Sequence, residues 1–161
     1  MYRGKTARYS FSLPLATGAL LAGRPDLRDS LFEIGELAGL AFQVRDDELG
    51  LFGDQALTGK SVVSDIREGK KTLYRARLMA RAEEGDRRRL AAIYGSPAAG
   101  EPEAAFVRER LESSGLRAEI AVWRDGLARR AQDLASSMKG ADPAGVAVLG
   151  DLIDYLVARQ S

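Results

Sequence analysis

The spacing of apolar residues is the feature that most restricts the fold of this chain. Apolar side chains recur every three or four positions rather than every second one, while alanine, leucine and arginine are abundant and β-branched residues are sparse. This periodicity places the apolar side chains on one face of a helix. The sequence therefore predicts an all-α fold, with a single helical domain over residues 1–161.

Glycine and proline separate the predicted helices and leave one long irregular stretch. Residues 50–71 hold four glycines, Gly50, Gly53, Gly59 and Gly69, and a loop of this length inside a compact helical domain is usually functional. In this stretch Ser64 or Asp65 is expected to cap the turn that leads into the next helix. The predicted helices span residues 4–21, 25–49, 71–82, 85–94, 101–114 and 116–138, and a last helix follows Pro143 and ends near Ala158.

Composition excludes several classes of function. The net charge is +1, from 24 basic and 23 acidic residues, so no large positive excess is available to neutralise nucleic acid. The chain has no cysteine and no histidine, which excludes disulfides, thiolate nucleophiles, imidazole bases and zinc sites built from these residues. The lack of cysteine fits a cytoplasmic protein. No apolar run of 18 residues is present, so no membrane span is expected.

Two adjacent carboxylates, Asp46 and Asp47, end an otherwise apolar helix pattern. Helical spacing places Gln43, Asp46, Asp47 and Gly50 on one strip of that helix. Neighbouring carboxylates repel each other unless a cation lies close to them. The alternative is a solvent-exposed helix end, but acids there oppose the helix dipole by roughly 0.3–1 kcal/mol each. This cost favours a metal site.

Lysines follow the acid pair on a glycine-rich connection. Gly59 frees the backbone to bring Lys60 near a ligand, and Lys70 is expected close to any phosphate bound in the cleft. Alternatively, these lysines belong to an ordinary polar loop. Carboxylates that face lysines across a cleft suit a diphosphate bridged to Mg²⁺.

At the other end of the sequence, Lys5, Thr6 and Tyr9 lie within one helical turn of each other. Taken alone, this group is typical of an ordinary amphipathic helix start. The group indicates a binding site only when it is considered together with the segments around the acid pair and the lysines.

Together these segments resemble the trans-type isoprenyl diphosphate synthases, which include farnesyl and geranylgeranyl diphosphate synthases. The resemblance is dense over residues 5–74, whereas residues 75–161 fit only as the family's C-terminal helices. The matching segments are KTARYSFSLP at 5–14, AG at 22–23, GLAFQ at 39–43 with the acid pair, FGD at 52–54, TGK at 58–60 and SDIREGKKTL at 64–73.

The resemblance implies both a fold and a reaction. The fold would be the C-terminal half of an antiparallel helical bundle of the isoprenoid synthase type, which in the family surrounds a deep cavity. The reaction would condense an allylic diphosphate with isopentenyl diphosphate. Mg²⁺ ions held by two aspartate-rich motifs would neutralise the diphosphate as it leaves.

The resemblance also implies roles for single residues near the acid pair. Asp46 would be a metal ligand and Asp47 would support it. Gln43 would stabilise the allylic cation through its carbonyl dipole. Phe42 would lie near the isoprenoid, or equally belong to the core.

The remaining implied roles concern the diphosphate and the developing cation. Lys5 and Lys60 would bind the allylic diphosphate, and Lys70 would close over it. Thr6 and Tyr9 would lie near the cation. All of these residues would act on the same substrate.

Two departures from the family pattern change the expected activity. The second motif normally ends in a third aspartate, but this chain has Gly50 there, which should weaken metal binding; Glu48 points off the strip and is a poor substitute. The first aspartate-rich motif is missing, and chains of the family are longer. We therefore expect this chain to supply one wall of the active site and to be inactive alone.

The missing motif implies a partner. That partner would be the missing N-terminal half, or another subunit in a homo- or hetero-oligomer. The alternative is a non-catalytic interaction or regulatory subunit of a heteromeric prenyl diphosphate synthase. The retention of Lys5, Thr6, Gln43, Asp46, Asp47, Lys60 and Lys70 argues against that alternative.

Overall fold

The computed structural model describes residues 3–53 and 62–159, with the side chains of residues 3–5 and 62 left out of that description. The described residues contain helices and no strand, which confirms the all-α prediction. None of these helices combines the length and the apolar character that crossing a membrane requires. The elements are a π-helical segment Arg3–Ser12, α1 Leu13–Leu21, a 3₁₀ turn Pro25–Leu27, α2 Arg28–Phe52, α3 Val62–Arg67, α4 Leu73–Arg81, α5 Glu84–Ile93, α6 Glu101–Ser113, α7 Leu116–Ser137 and α8 Pro143–Ala158.

The predicted bounds of α4 to α8 agree with the structure within two residues. The prediction that residues 50–71 are irregular is wrong for Val62–Arg67, which form α3. A six-residue helix is too short to show a period, and it depends on the burial of Val63 and Ile66. The predicted cap at Ser64 or Asp65 is also wrong. Thr72 caps α4 instead, since its hydroxyl oxygen accepts a hydrogen bond from the Arg75 N–H at 3.1 Å.

The chain divides into two compact units. Of the described residues, the first unit comprises 3–45 and 122–159, and the second comprises 46–53 and 62–121. Helix α2 contributes residues to both units, because the division falls between Arg45 and Asp46. The prediction of one domain over the whole chain stays a prediction.

The core of the first unit depends on small residues. A Cβ on Gly35 would lie 2.6 Å from the Cα of Ser12, and a Cβ on Gly39 would lie 2.6 Å from the Cα of Ala7. Glycine therefore allows α2 to lie directly against the π-helical segment. The buried apolar residues of this core are Ala7, Ile34, Leu37, Ala38, Leu40, Ala41, Leu127, Ala128, Ala131, Ala135, Leu149, Ile153 and Leu156.

In the second unit, a left-handed glycine ends α3 and fixes the main chain that follows. Gly69 has φ +60°, its N–H donates to the Ile66 carbonyl at 3.0 Å, and the Lys70 N–H donates to the Asp65 carbonyl at 3.0 Å. These two bonds form a Schellman motif. Gly95, which follows α5, donates its N–H to the same Ile66 carbonyl at 2.9 Å. The main chain at Lys70 is therefore set by both helix ends.

Candidate functional site

The acid pair lies near the C-terminal end of α2, and one of its members is buried. Asp47 is 1% exposed, whereas Asp46 is partly exposed. A buried carboxylate is costly unless it is paired, and Asp47 Oδ1 lies 3.6 Å from the Lys70 Nζ. The alternative of a solvent-exposed helix end is therefore wrong for Asp47.

Lys70 is held by carboxylates on its own unit. Its Nζ donates a hydrogen bond to Asp65 Oδ2 at 3.0 Å. Partial burial works against the ammonium, but the hydrogen bond to Asp65 and the charges of Asp65, Asp47 and Asp46 outweigh that effect, so the pKa of Lys70 is raised. Lys70 is therefore a fixed positive charge beside Asp47.

The family motif carries a third aspartate at the position of Gly50. In this chain a side chain from another helix fills the space beside Gly50. A Cβ built on Gly50 would lie 2.7 Å from Asp65 Oδ2, so the Asp65 carboxylate takes up the space beside this glycine. From the sequence, Asp65 was predicted only as a cap, and its contact with Gly50 was not predicted. The glycine one turn after Asp47 was the available signal, because it leaves room for a side chain from elsewhere.

The neighbouring acid, Glu48, is engaged in a separate ion pair. It is 5% exposed, and its Oε1 accepts from the Arg117 Nε at 3.3 Å. The Arg117 guanidinium also stacks over the Phe52 ring, 4.0 Å from its centre. Glu48 is therefore engaged with Arg117. This agrees with the prediction that Glu48 is a poor substitute for the carboxylate missing at position 50.

In the first unit, the structure brings Thr6 and Gln43 together. The Thr6 hydroxyl donates to Gln43 Oε1 at 2.8 Å, which fixes the orientation of the amide. The close approach at Gly39, one turn before Gln43 on α2, makes this contact possible. This hydrogen bond was not predicted, although both residues were assigned to the site.

The remaining predicted site residues are packed against the core, exposed to solvent or outside the described residues. Phe42 packs against the core of the first unit, with its ring 5.4 Å from that of Phe11 and the Arg159 guanidinium 4.2 Å from its centre. Tyr9 is 73% exposed. The side chain of Lys5 and the whole of Lys60 lie outside the described residues.

The carboxylates offer a limited set of metal ligands. Within residues 3–53 and 62–159, no three histidine, cysteine, aspartate or glutamate side chains converge on one point that could hold a metal ion. A magnesium ion does not need such a cage, because it usually binds through one or two carboxylates together with water and substrate phosphates. Asp46 and Asp47 fit that pattern.

Comparison with known proteins shows the family. The sequence model of the polyprenyl synthetase family matches residues 1–110. The (2E,6E)-farnesyl diphosphate synthase of Mycobacterium tuberculosis is 38% identical over the whole chain, and the geranylfarnesyl diphosphate synthase of Aeropyrum pernix is 34% identical over 88% of it. The chain spans less than half the length of each, 45% and 44%.

A solved structure shares the fold. The geranylgeranyl pyrophosphate synthase of Corynebacterium glutamicum, crystallised with isoprenyl diphosphate and magnesium, superposes with a TM-score of 0.90 at 33% identity. The match covers 98% of this chain and 45% of that protein. The predicted helical bundle of the isoprenoid synthase type is thereby confirmed. The chain belongs to the polyprenyl synthetase family.

Proposed function

We propose that this chain supplies one wall of a prenyltransferase active site that condenses an allylic diphosphate with isopentenyl diphosphate. Family membership supports the reaction class. The observation that carries the proposal is the buried Asp47 carboxylate 3.6 Å from the Lys70 ammonium. An anion and a cation held side by side suit a substrate that is bound both through a metal and through direct hydrogen bonds.

Asp46 and Asp47 would hold the magnesium ion. Their adjacent carboxylates supply the one or two protein ligands that this ion takes when phosphates complete its shell. When bound, magnesium neutralises the negative charge that develops on the leaving diphosphate. Asp47 is buried, so water screens its charge less than that of an exposed carboxylate.

The amines would bind the diphosphate directly. Lys70 is held in its charged form by Asp65, so no proton has to move before it binds a phosphate oxygen. Lys5 and Lys60 would contribute further ammonium groups to the same anion. Together these cations would favour cleavage of the bond between carbon and oxygen, since the departing group carries the negative charge.

Thr6 and Gln43 in the first unit would stabilise the positive charge on the allylic group of the substrate. The hydroxyl of Thr6 fixes the amide of Gln43, and a carbonyl oxygen held in this way can face positive charge that forms on the allylic group. Tyr9 would lie near the same charge, and Phe42 would lie near the isoprenoid chain. Preorganised dipoles of this kind cost no reorganisation when the charge develops.

The proposal includes a partner. The chain spans about 45% of its relatives, so the first aspartate-rich motif would come from a complementary segment or subunit, in a homo- or hetero-oligomer. A cytoplasmic location belongs to the same proposal. The chain alone is expected to be inactive.

The test is complementation. The chain is mixed with a polypeptide that carries the first aspartate-rich motif, and the incorporation of labelled isopentenyl diphosphate is measured with Mg²⁺ present. Asp46→Ala should lower turnover on the order of 100-fold while assembly is unchanged. The matched control is Asp133→Ala, an exposed aspartate on α7 that should leave turnover unchanged.

Two results would contradict the proposal. One is the absence of product at every mixing ratio. The other is an Asp46→Ala assembly as active as the original, which would instead identify the chain as a non-catalytic subunit.

A further inference from the structure

Gly50 and Asp65 form a contact that the proposed reaction has not yet used. Both belong to the second unit, Gly50 near the end of α2 and Asp65 within α3. A Cβ on Gly50 would lie 2.7 Å from Asp65 Oδ2 and 3.6 Å from Asp65 Cγ. The carboxylate therefore sits against the bare backbone of Gly50.

The oxygen that fills this space is also the oxygen that holds Lys70. Asp65 Oδ2 accepts the hydrogen bond from Lys70 Nζ at 3.0 Å. Any side chain at position 50 would have to displace this oxygen, since Cβ atoms do not approach other heavy atoms within 2.7 Å. Displacement of the carboxylate would break or lengthen its bond to Lys70.

The main chain and the side chain of Lys70 are fixed separately. The Schellman motif after α3 holds the Lys70 N–H on the Asp65 carbonyl at 3.0 Å. The four-carbon side chain has many rotamers, and ordering it costs entropy. The carboxylate of Asp65 selects the rotamer that places the ammonium 3.6 Å from Asp47 Oδ1.

We infer that Asp65 is a positioning residue for Lys70 and that Gly50 provides the space that the Asp65 carboxylate occupies. In this arrangement the placement of the Asp65 carboxylate depends on the missing side chain at position 50. The catalytic part of this inference rests on the proposed function.

The first experiment uses the chain alone, without metal or substrate. Gly50→Ala and Asp65→Ala are compared with Gly85→Ala, a glycine on α5 with no atom within 4 Å of its Cβ position. The NMR order parameter of the Lys70 side chain, measured on lysine-labelled protein, should fall in both site variants and stay unchanged in the control. An unchanged order parameter in both site variants would overturn the inference.

The second experiment adds a carboxylate at position 50 and, in a combined variant, removes the one at position 65. Gly50→Asp alone should lower the melting temperature and the Lys70 order parameter, because two carboxylates then compete for one space. Gly50→Asp combined with Asp65→Ala should recover both. If the combined variant is no better than Gly50→Asp alone, the two positions are not complementary and the inference is wrong.

The third measurement applies to the complemented assembly. Asp65→Ala should raise KM for the allylic diphosphate about 10-fold with a smaller change in kcat, because a mobile Lys70 binds the diphosphate less well. Asp65→Asn, which keeps an acceptor oxygen, should recover part of that loss. Equal losses in kcat and in kcat/KM would contradict a positioning role.

The three measurements distinguish failure of the proposed function from failure of the inference about Gly50 and Asp65. If no assembly turns over but the order parameters and melting temperatures behave as stated, the proposed function fails and the pairing of Gly50 with Asp65 stands. If turnover is restored but the pairing experiments fail, only the present inference is lost.

Discussion

The two units of the molecule are stabilised in different ways. The core of the first unit consists of alanine and aliphatic residues, and Gly35 and Gly39 bring α2 against the π-helical segment. The second unit buries polar groups, including Asp47, Glu48 and Thr72, each with a partner on the same unit. At Gly35 and Gly39 of the first unit, volume limits what can be substituted, whereas at Asp47 and Glu48 of the second unit the buried charges must keep their partners.

The difference also explains where the proposed metal ligands lie. A buried carboxylate needs a positive partner, and a bound magnesium ion would be such a partner. In the second unit, Lys70 balances Asp47 and Arg117 balances Glu48. The alanine and aliphatic core of the first unit offers no carboxylates.

The largest expected effect comes from adding volume to the first unit. Gly35→Ala would place a Cβ 2.6 Å from the Ser12 Cα and 2.7 Å from its N. Both are backbone atoms that cannot turn away, so we expect a loss of about 3 kcal/mol in the free energy of unfolding. Chemical denaturation measured by circular dichroism would report it.

Gly126→Ala is the matched control for that change. This glycine lies on α7 in the same unit and has no atom within 4 Å of its Cβ position. Alanine there should stabilise by about 1 kcal/mol through helix propensity. Equal effects of the two substitutions would show that close approach does not limit the first unit.

The next effect comes from removing a charge in the second unit. Arg117→Met keeps most of the side-chain volume but loses the hydrogen bond to the buried Glu48 and the stacking over Phe52. We expect a loss of about 2 kcal/mol in the free energy of unfolding, since a buried carboxylate loses a charged partner.

Arg77→Met, at an exposed arginine on α4, should change the same free energy by less than about 0.5 kcal/mol. Urea titration of both variants makes the comparison. If Arg117→Met lowered the free energy of unfolding no more than this control, the ion pair with Glu48 would not contribute to the stability of the second unit.

The smallest effect concerns a phenol in the second unit. The Tyr94 hydroxyl is buried and has no hydrogen-bond partner among the described residues, while its ring packs 4.7 Å from the Arg75 guanidinium. Tyr94→Phe keeps the stacking and removes the unsatisfied hydroxyl. We expect a gain of about 1 kcal/mol, measured by thermal unfolding at neutral pH.

The same substitution should change the alkaline limit of stability. Burial raises the pKa of Tyr94 to about 12, although the charge of Arg75 opposes the shift. The unfolded chain releases this proton near pH 10, so the phenol's contribution is present below pH 10 and is lost as the pH rises towards 12. That loss should be absent in Tyr94→Phe, and an identical alkaline profile would contradict the assignment.

Much of the fold follows from local signals. Gly23, Gly115 and Gly140 each have a left-handed φ at a break between helices, and Pro143 opens α8 where the sequence predicts. The π-helical winding of Arg3–Ser12 was not predicted. Its packing depends on glycines in α2, which local sequence does not reveal.

The candidate site was predictable where it depends on spacing along one helix. Gln43, Asp46 and Asp47 follow from three- and four-residue steps on α2. The contact of Asp65 with Gly50 was not predictable, because it joins two helices through tertiary packing. The burial of Asp47 against Lys70 has the same origin.

Gly69 and Gly95 have a consequence for engineering. A Cβ on Gly69 would lie 3.2 Å from the Gly95 Cα, and both residues have a left-handed φ. A mutagenesis library that randomises either codon alone should return glycine, because an L side chain there is strained. Gly95, which lies two helices further along the chain, therefore constrains the main chain from which the Lys70 side chain extends.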